Sequence, residues 1–165
     1  MTTERDALLQ EIRNIRSELE RLLHRIDPYF DHQIEAADWT VRELVYHLVD
    51  TPGSGGWGTI VPAVLEGRMQ EIPIALGQTY QNPDRQEKDV AGVGQDFYNA
   101  LATLESSLAD MTDAMLAERR VLYRSLANST TTERNAQEMI ANIGRHWREH
   151  LDQLAEFRKT LGIDK

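Results

Sequence analysis

The stretch 133–161, ERNAQEMIANIGRHWREHLDQLAEFRKTL, predicts one long amphipathic helix. Its apolar residues recur every three or four positions, a spacing that places them along one side of a helix. The residues on that side are Met139, Ile140, Ile143, Trp147, Leu151, Leu154, Phe157 and Leu161. Gly162 comes next, and glycine commonly follows the last turn of a helix because it tolerates the left-handed conformation. The helix is therefore expected to end there and to bury one face.

Three more segments show the same one-sided apolar pattern. The first ends near Pro28, because proline disfavours helical angles in the residue before it. The second starts at a capping box, in which the Thr40 hydroxyl and the Glu43 carboxylate satisfy backbone N–H groups at the helix start. It stops at the Pro-Gly-Ser-Gly-Gly stretch 52–56, where proline and glycine disfavour helix. The third spans about 90–108.

The rest of the sequence gives weaker signals. Residues 58–66 could form a short extra helix, and the polar stretch 78–88, with Pro73 before it, reads as an irregular connection. The apolar run 121–123 has no assigned type. Since no segment shows convincing strand alternation, we expect an all-α fold. The predicted architecture is a four-helix bundle that forms one domain over residues 1–165, with a possible short helix between helices two and three.

Composition excludes several classes of function. The chain has 165 residues and no cysteine, so neither a disulfide nor a protein thiolate can contribute. Its formal net charge is −9, from 27 acidic and 18 basic residues, which disfavours binding to nucleic acids and anionic membranes. The charged first residues lack the apolar stretch of a secretory signal, and no apolar run reaches the roughly 20 residues of a membrane span. We therefore expect a cytoplasmic protein that acts on a small molecule and binds neither nucleic acid nor membrane.

Three of the five histidines lie on or beside the apolar stripes. His146 and His150 are one helical turn apart on the last helix, and His150 falls on the apolar seam, which predicts a core position. His47 lies beside the stripe of the second helix. His24 and His32 lie outside these stripes and are expected to be solvated. An imidazole on a buried face needs a polar partner, and one metal ion could serve all three rings.

The spacing of these histidines suits a metal site. Side chains four residues apart on a helix lie about 5–6 Å from each other. Two imidazoles at that distance can bind one ion at roughly 2.0–2.1 Å each, and a third ring from a facing helix would leave part of the coordination sphere open to water or substrate. The hypothesis is a divalent metal held by His47, His146 and His150. The alternative is that all three are ordinary core or rim histidines bonded to their neighbours.

Other catalytic patterns are missing from the sequence. The Glu-x-x-His pairs of di-iron bundles, the His-Glu-x-x-His motif and the Gly-x-Ser-x-Gly motif do not occur. Glu43 precedes His47 by one helical turn and could orient its imidazole, although a capping role is favoured. Glu149 points away from the apolar face and is expected to be solvated, while Trp57 and Tyr80 could line a pocket or pack in the core. No catalytic residue and no cofactor-binding residue is assigned beyond the metal ligands.

Two segments resemble the DinB/YfiT-like superfamily of metalloenzymes. One is the stretch 39–48, WTVRELVYHL, and the other is the stretch 146–154, HWREHLDQL. The first is similar to the family's tryptophan, hydroxyl residue, helix and histidine, and the second to its terminal His-x-x-x-His helix. The sequence departs from the family pattern at residues 52–58, which end a helix that many relatives continue.

The resemblance implies a four-helix bundle, often dimeric, that binds nickel, zinc, iron or manganese through three histidines. In this sequence they correspond to His47, His146 and His150. Relatives include hydrolases, and S-transferases or isomerases that use a low-molecular-weight thiol. We expect a metal-dependent enzyme, a possible homodimer, that activates water or such a thiol against a small electrophile. The alternative is a non-catalytic metal-binding or dimerisation module with a structural histidine cluster.

Overall fold

A computed structural model gives the architecture of the chain and describes residues 2–51, 55–75 and 83–163. The elements in chain order are α1 (Glu4–Leu23), a 3-10 turn (Asp27–Tyr29), β1 (Gln33–Ile34), β2 (Trp39–Thr40), α2 (Val41–Val49), β3 (Asp50–Thr51), β4 (Gly55–Gly56), α3 (Trp57–Leu65), β5 (Glu71–Ile74), α4 (Pro83–Glu87), α5 (Val90–Ala109), α6 (Asp113–Glu118), β6 (Arg120–Ser125), β7 (Thr131–Asn135) and α7 (Ala136–Leu161). Helices α1, α2, α5 and α7 form a four-helix bundle, since α1 and α2 each pack against both α5 and α7. Helix α3 packs on α5 and also contacts α7.

The predicted apolar stripes form the core of the bundle. Fully buried side chains come from all four helices and include Ile15, Leu19, Leu22, Leu44, Leu48, Phe97, Leu104, Met139, Trp147 and Leu154. Burying a side chain of this size stabilises the fold by about 1.5–3 kcal/mol. Because this packing also fixes the rotation of each helix, it determines which residues lie at the interface of α2 and α7.

The predicted helix ends are confirmed at two places. Thr40 and Glu43 form the capping box that starts α2, and Gly162 follows α7 in the left-handed conformation with φ of 68°. Helix α1 ends earlier than Pro28, at Leu23. There a buried arginine, Arg158 of α7, donates to two backbone carbonyls, those of Leu22 at 2.7 Å and His24 at 2.6 Å. These bonds satisfy carbonyl groups that the last turn of a helix leaves without intrahelical partners.

The expectation of a purely α fold is wrong, because a three-stranded sheet is present. Strand β6 pairs in parallel with β5 and antiparallel with β7, and β1–β2 and β3–β4 form two short antiparallel pairs. The apolar run 121–123 is therefore part of a strand, in which Val121 alone is fully buried. The sheet also delays the start of α7, since Asn135 caps the helix in a second capping box with Glu138.

The connection between α2 and α5 is more regular than the sequence suggests. The short helix predicted over 58–66 is confirmed as α3. Pro73 lies in strand β5, and Pro83 begins α4, so ordered elements replace part of the predicted irregular connection. Residues 76–82 of that connection lie outside the described ranges. Tyr80 lies outside the described residues. Among the residues described, none of the helices combines the length and apolarity needed to cross a bilayer.

Candidate metal centre

The three candidate ligands are delivered by α2 and α7, which face each other in the bundle. His47 lies in the last turn of α2, while His146 and His150 lie one turn apart on α7. A hydrogen bond joins the two helices at this level, from the indole Nε1 of Trp147 to the backbone carbonyl of Leu48 at 2.9 Å. Since Trp147 follows His146 in sequence and Leu48 follows His47, this bond sets the separation of the histidines.

The structure brings His47, His146 and His150 together as the sequence predicts. The ring centroids are separated by 5.0 Å between His47 and His146, 4.8 Å between His47 and His150, and 4.5 Å between His146 and His150. One candidate ligand atom from each ring lies within 4.8 Å of the other two. The Nε2 atoms of His47 and His146 are 2.9 Å apart. In a tetrahedral site with metal–nitrogen bonds of 2.0–2.1 Å, two ligand nitrogens are roughly 3.3 Å apart, so a small adjustment would admit an ion.

All three rings are half-buried, so the prediction that His150 occupies a core position is wrong. The ring lies at the edge of the core, beside the half-buried rings of Trp39 and His47. Burial lowers the pKa of His146, and the neighbouring His150 lowers it further. Burial also lowers the pKa of His150, opposed by its hydrogen bond to Gln153 and by the charge of Glu149. Lowered pKa values keep both rings neutral near pH 7, which is the form that binds metals.

Two further residues lie beside the triad, and their roles were not predicted from the sequence. Gln153 Oε1 lies 2.8 Å from Nδ1 of His150. The ring of Trp39 packs against His47, with centroids 4.1 Å apart, and lies 5.5 Å from the ring of His150. Trp39 thus forms a wall of the site. The spacing of three residues between His150 and Gln153 was a signal in the sequence, because residues three apart share a helix face.

The other residues considered from the sequence do not belong to the triad. Glu43 accepts a hydrogen bond from the backbone N–H of Thr40 at 2.8 Å, which confirms its capping role. Glu149 is exposed, as predicted, and so are His24 and His32. Trp57 is buried in the core cluster.

A polar network packs against another side of α2. The guanidinium of Arg85 lies over the ring of Tyr46, 4.3 Å from its centroid, and forms an ion pair with Asp50. The Tyr46 hydroxyl donates to Asp96 at 3.1 Å, and Lys88 binds the same carboxylate at 2.6 Å. Burial and the charge of Asp96 raise the pKa of Tyr46 to about 12, so its hydroxyl remains a donor. Because a helix shorter than about 12 residues is marginal by itself, these contacts stabilise the element that carries His47.

The donor set fits a divalent transition metal. Three neutral imidazoles suit zinc, nickel or iron, and the chain has no cysteine that could close a thiolate site. In the ranges that the structure describes, no fourth histidine or carboxylate joins the cluster. A site with three protein ligands leaves at least one coordination position for water or substrate.

The bundle has the architecture of a known fold: the chain has a YfiT-like four-helix-bundle fold. A similar solved structure is that of YfiT from Bacillus subtilis, described as a probable metal-dependent hydrolase with an unusual four-helix bundle topology. The TM-score is 0.70 and the sequences are 17% identical, over 96% of this chain and 87% of that one. At this identity the likeness concerns the fold. No protein-family model and no curated protein matches the sequence.

Proposed function

We propose that the protein is a divalent-metal-dependent hydrolase that acts on a small electrophilic molecule. The observation that carries the proposal is the convergence of His47, His146 and His150, whose candidate ligand atoms lie within 4.8 Å of one another. The description of YfiT, which shares the fold, as a probable metal-dependent hydrolase supports the same reaction class.

The bound ion would supply Lewis-acid chemistry: it would polarise a substrate carbonyl or phosphoryl oxygen and acidify water, to a pKa of about 7 in the best zinc sites. The chain contributes the remaining functions. The lowered pKa values of His146 and His150 keep their lone pairs available. The indole of Trp39 covers one side of the site. The excess of acidic residues disfavours polyanionic substrates, so a neutral or cationic small molecule fits best.

A second candidate reaction uses a low-molecular-weight thiol in place of water. The chain has no cysteine, so any sulfur nucleophile must come from solution. The same ion that acidifies water would acidify a bound thiol, which leads to thiol transfer or thiol-assisted isomerisation. We place this reaction second because hydrolysis needs no additional co-substrate.

The test begins with metal analysis of protein purified without a histidine tag. We expect about one divalent ion per chain, lost in His47→Ala, His146→Ala and His150→Ala while circular dichroism shows an intact bundle. His32→Ala is the matched control, because this histidine is exposed and lies outside the cluster. Metal retained by the His150→Ala variant at wild-type affinity would contradict the proposed ligand set.

Activity is then assayed on a panel of esters, amides and phosphoesters, with and without low-molecular-weight thiols. Metal-dependent turnover without a thiol supports hydrolysis, and turnover only with a thiol supports the second reaction. A protein that binds the ion, loses its fold on chelation and turns over no substrate would instead be a structural metal-binding module.

A further inference from the structure

We infer that Gln153 is a positioning residue, which fixes the proton of His150 on Nδ1 and thereby directs the lone pair of Nε2 into the triad. The inference concerns the same site as the proposed function and rests on it for its role in metal binding. The tautomer itself, however, is a property of the metal-free chain. The central contact is the 2.8 Å separation between Gln153 Oε1 and His150 Nδ1.

The orientation of the Gln153 amide follows from its second contact. An amide side chain has one accepting end and one donating end. Its Nε2 end faces the backbone carbonyl of Ala36 at 3.4 Å, and a carbonyl can only accept. The donating end must therefore point to Ala36, which leaves the accepting oxygen toward His150. Consequently Nδ1 of His150 must be the donor of that bond.

The Ala36 carbonyl is itself held by a tight turn. Residues 35–38 connect β1 to β2, and the backbone N–H groups of Ala37 and Asp38 both donate to the carbonyl of Ile34, at 3.1 and 2.9 Å. Ile34 is fully buried, which anchors the turn to the core. The backbone carbonyl of Ala36 thus orients the amide of Gln153, and that amide orients the imidazole of His150 on the same helix.

The position of the proton determines which ring nitrogen of His150 can bind a metal. A neutral imidazole carries one N–H and one lone pair, so a proton held on Nδ1 leaves Nε2 free to bind an ion. Metal-bound histidines generally donate their other N–H in this way, and loss of the acceptor typically costs 10–100-fold in metal affinity. Among the described residues, His146 forms no side-chain hydrogen bond except the one with His47. Gln153 is therefore the acceptor that orients a ligand ring on α7.

The test compares three variants of the full chain. Gln153→Met keeps the length of the side chain but removes the acceptor. Gln153→Glu keeps an accepting oxygen and loses the bond to Ala36. Gln137→Met is the matched control, because Gln137 is a half-buried glutamine on the same helix that bonds Glu4 at 3.2 Å, away from the triad.

The first readout is the side-chain ¹⁵N spectrum of metal-free protein at neutral pH. We expect His150 to carry its proton on Nδ1 in the wild type, in Gln153→Glu and in Gln137→Met, and a shift toward the Nε2–H tautomer in Gln153→Met. The second readout is Co²⁺ affinity, expected to fall by about 10–100-fold in Gln153→Met and to stay near the wild-type value in Gln137→Met.

A wild-type spectrum with the proton of His150 on Nε2 would overturn the inference, even if Gln153→Met failed to fold. So would a Gln153→Met variant whose tautomer and Co²⁺ affinity match those of the wild type. If the wild type shows the Nδ1–H tautomer but binds no metal, the positioning by Gln153 is supported and the proposed metal-dependent function fails.

Discussion

The indole of Trp147 donates a hydrogen bond to the backbone carbonyl of Leu48 at 2.9 Å, and this bond joins the two helices that carry the candidate metal ligands. Trp147 is almost fully buried and its ring packs edge-on against Phe97, with centroids 5.2 Å apart. The relationship makes Trp147 both a core residue and the spacer between α2 and α7.

We expect Trp147→Phe to destabilise the fold by about 2–4 kcal/mol, because it creates a cavity and leaves a buried carbonyl without its donor. It should also weaken Co²⁺ binding, since the histidines on the two helices lose their fixed separation. Urea denaturation and a Co²⁺ titration measure the two effects. Trp57→Phe, which alters another buried tryptophan, should lower stability without a matching loss of affinity. Equal loss of affinity in both variants would contradict the spacer role.

The metal-free protein should lose stability in mildly acidic solution. The pKa values of His146 and His150 are lowered from the usual 6.5 by burial, so protons bind more tightly to the unfolded chain than to the folded one. Their contribution to stability is complete above about pH 6.5 and is lost as the pH falls through the lower folded-state values. Urea unfolding of metal-free protein between pH 8 and 5 measures this loss. The double variant His146→Gln, His150→Gln should show a flatter dependence; an unchanged slope would contradict the assignment.

Trp39 should report metal binding directly. Its ring lies 4.1 Å from that of His47, so a paramagnetic ion such as Ni²⁺ or Co²⁺ in the triad should quench its fluorescence strongly. We expect a saturable decrease in emission on titration, most of which disappears in Trp39→Phe while the ion still binds in calorimetry. Quenching that persists undiminished in Trp39→Phe would contradict the assignment of Trp39 as the reporter.

Arg158 should stabilise the fold without affecting the site. It is 3% exposed and donates to the carbonyls of Leu22 and His24 at the end of α1. We expect Arg158→Met to cost about 2–4 kcal/mol in urea unfolding, because hydrogen bonds from a charged donor are worth about 1.5–3 kcal/mol each. Metal affinity should be unchanged. Lys159→Met is the control and should be nearly neutral, since the Lys159 side chain is 67% exposed.

The four bundle helices and the histidine triad could be predicted because their signals are local and periodic. The capping box of Thr40 and Glu43 fixes where α2 begins, and the helical repeat then determines the face on which His47 lies. On α7 the same repeat places His146 and His150 together. Occupancy of the triad by a metal stays a prediction.

The sheet could not be predicted because its strands are short and their partners are distant in sequence. Residues 71–74 pair with residues 122–125, and the polar strand 131–135 has no fully buried side chain. Neither strand alternates in a way that distinguishes it from a loop. The role of Gln153 was missed for a similar reason: the Ala36 carbonyl that orients its amide belongs to a hairpin more than a hundred residues away.

Helix α2 has only nine residues and ends two residues after His47. So short a helix can unfold locally, at a lower free-energy cost than unfolding of the whole bundle, even though neighbouring helices pack against it. An ion bound by residues of both α2 and α7 would stabilise the folded conformation of α2, because a ligand stabilises the state that binds it. Amide hydrogens of residues 44–49 should then exchange more slowly in the metal-loaded protein, while those in the middle of α1 keep their rate. Because α2 is so short, the exchange rates of its amides thus report whether the protein has bound its metal.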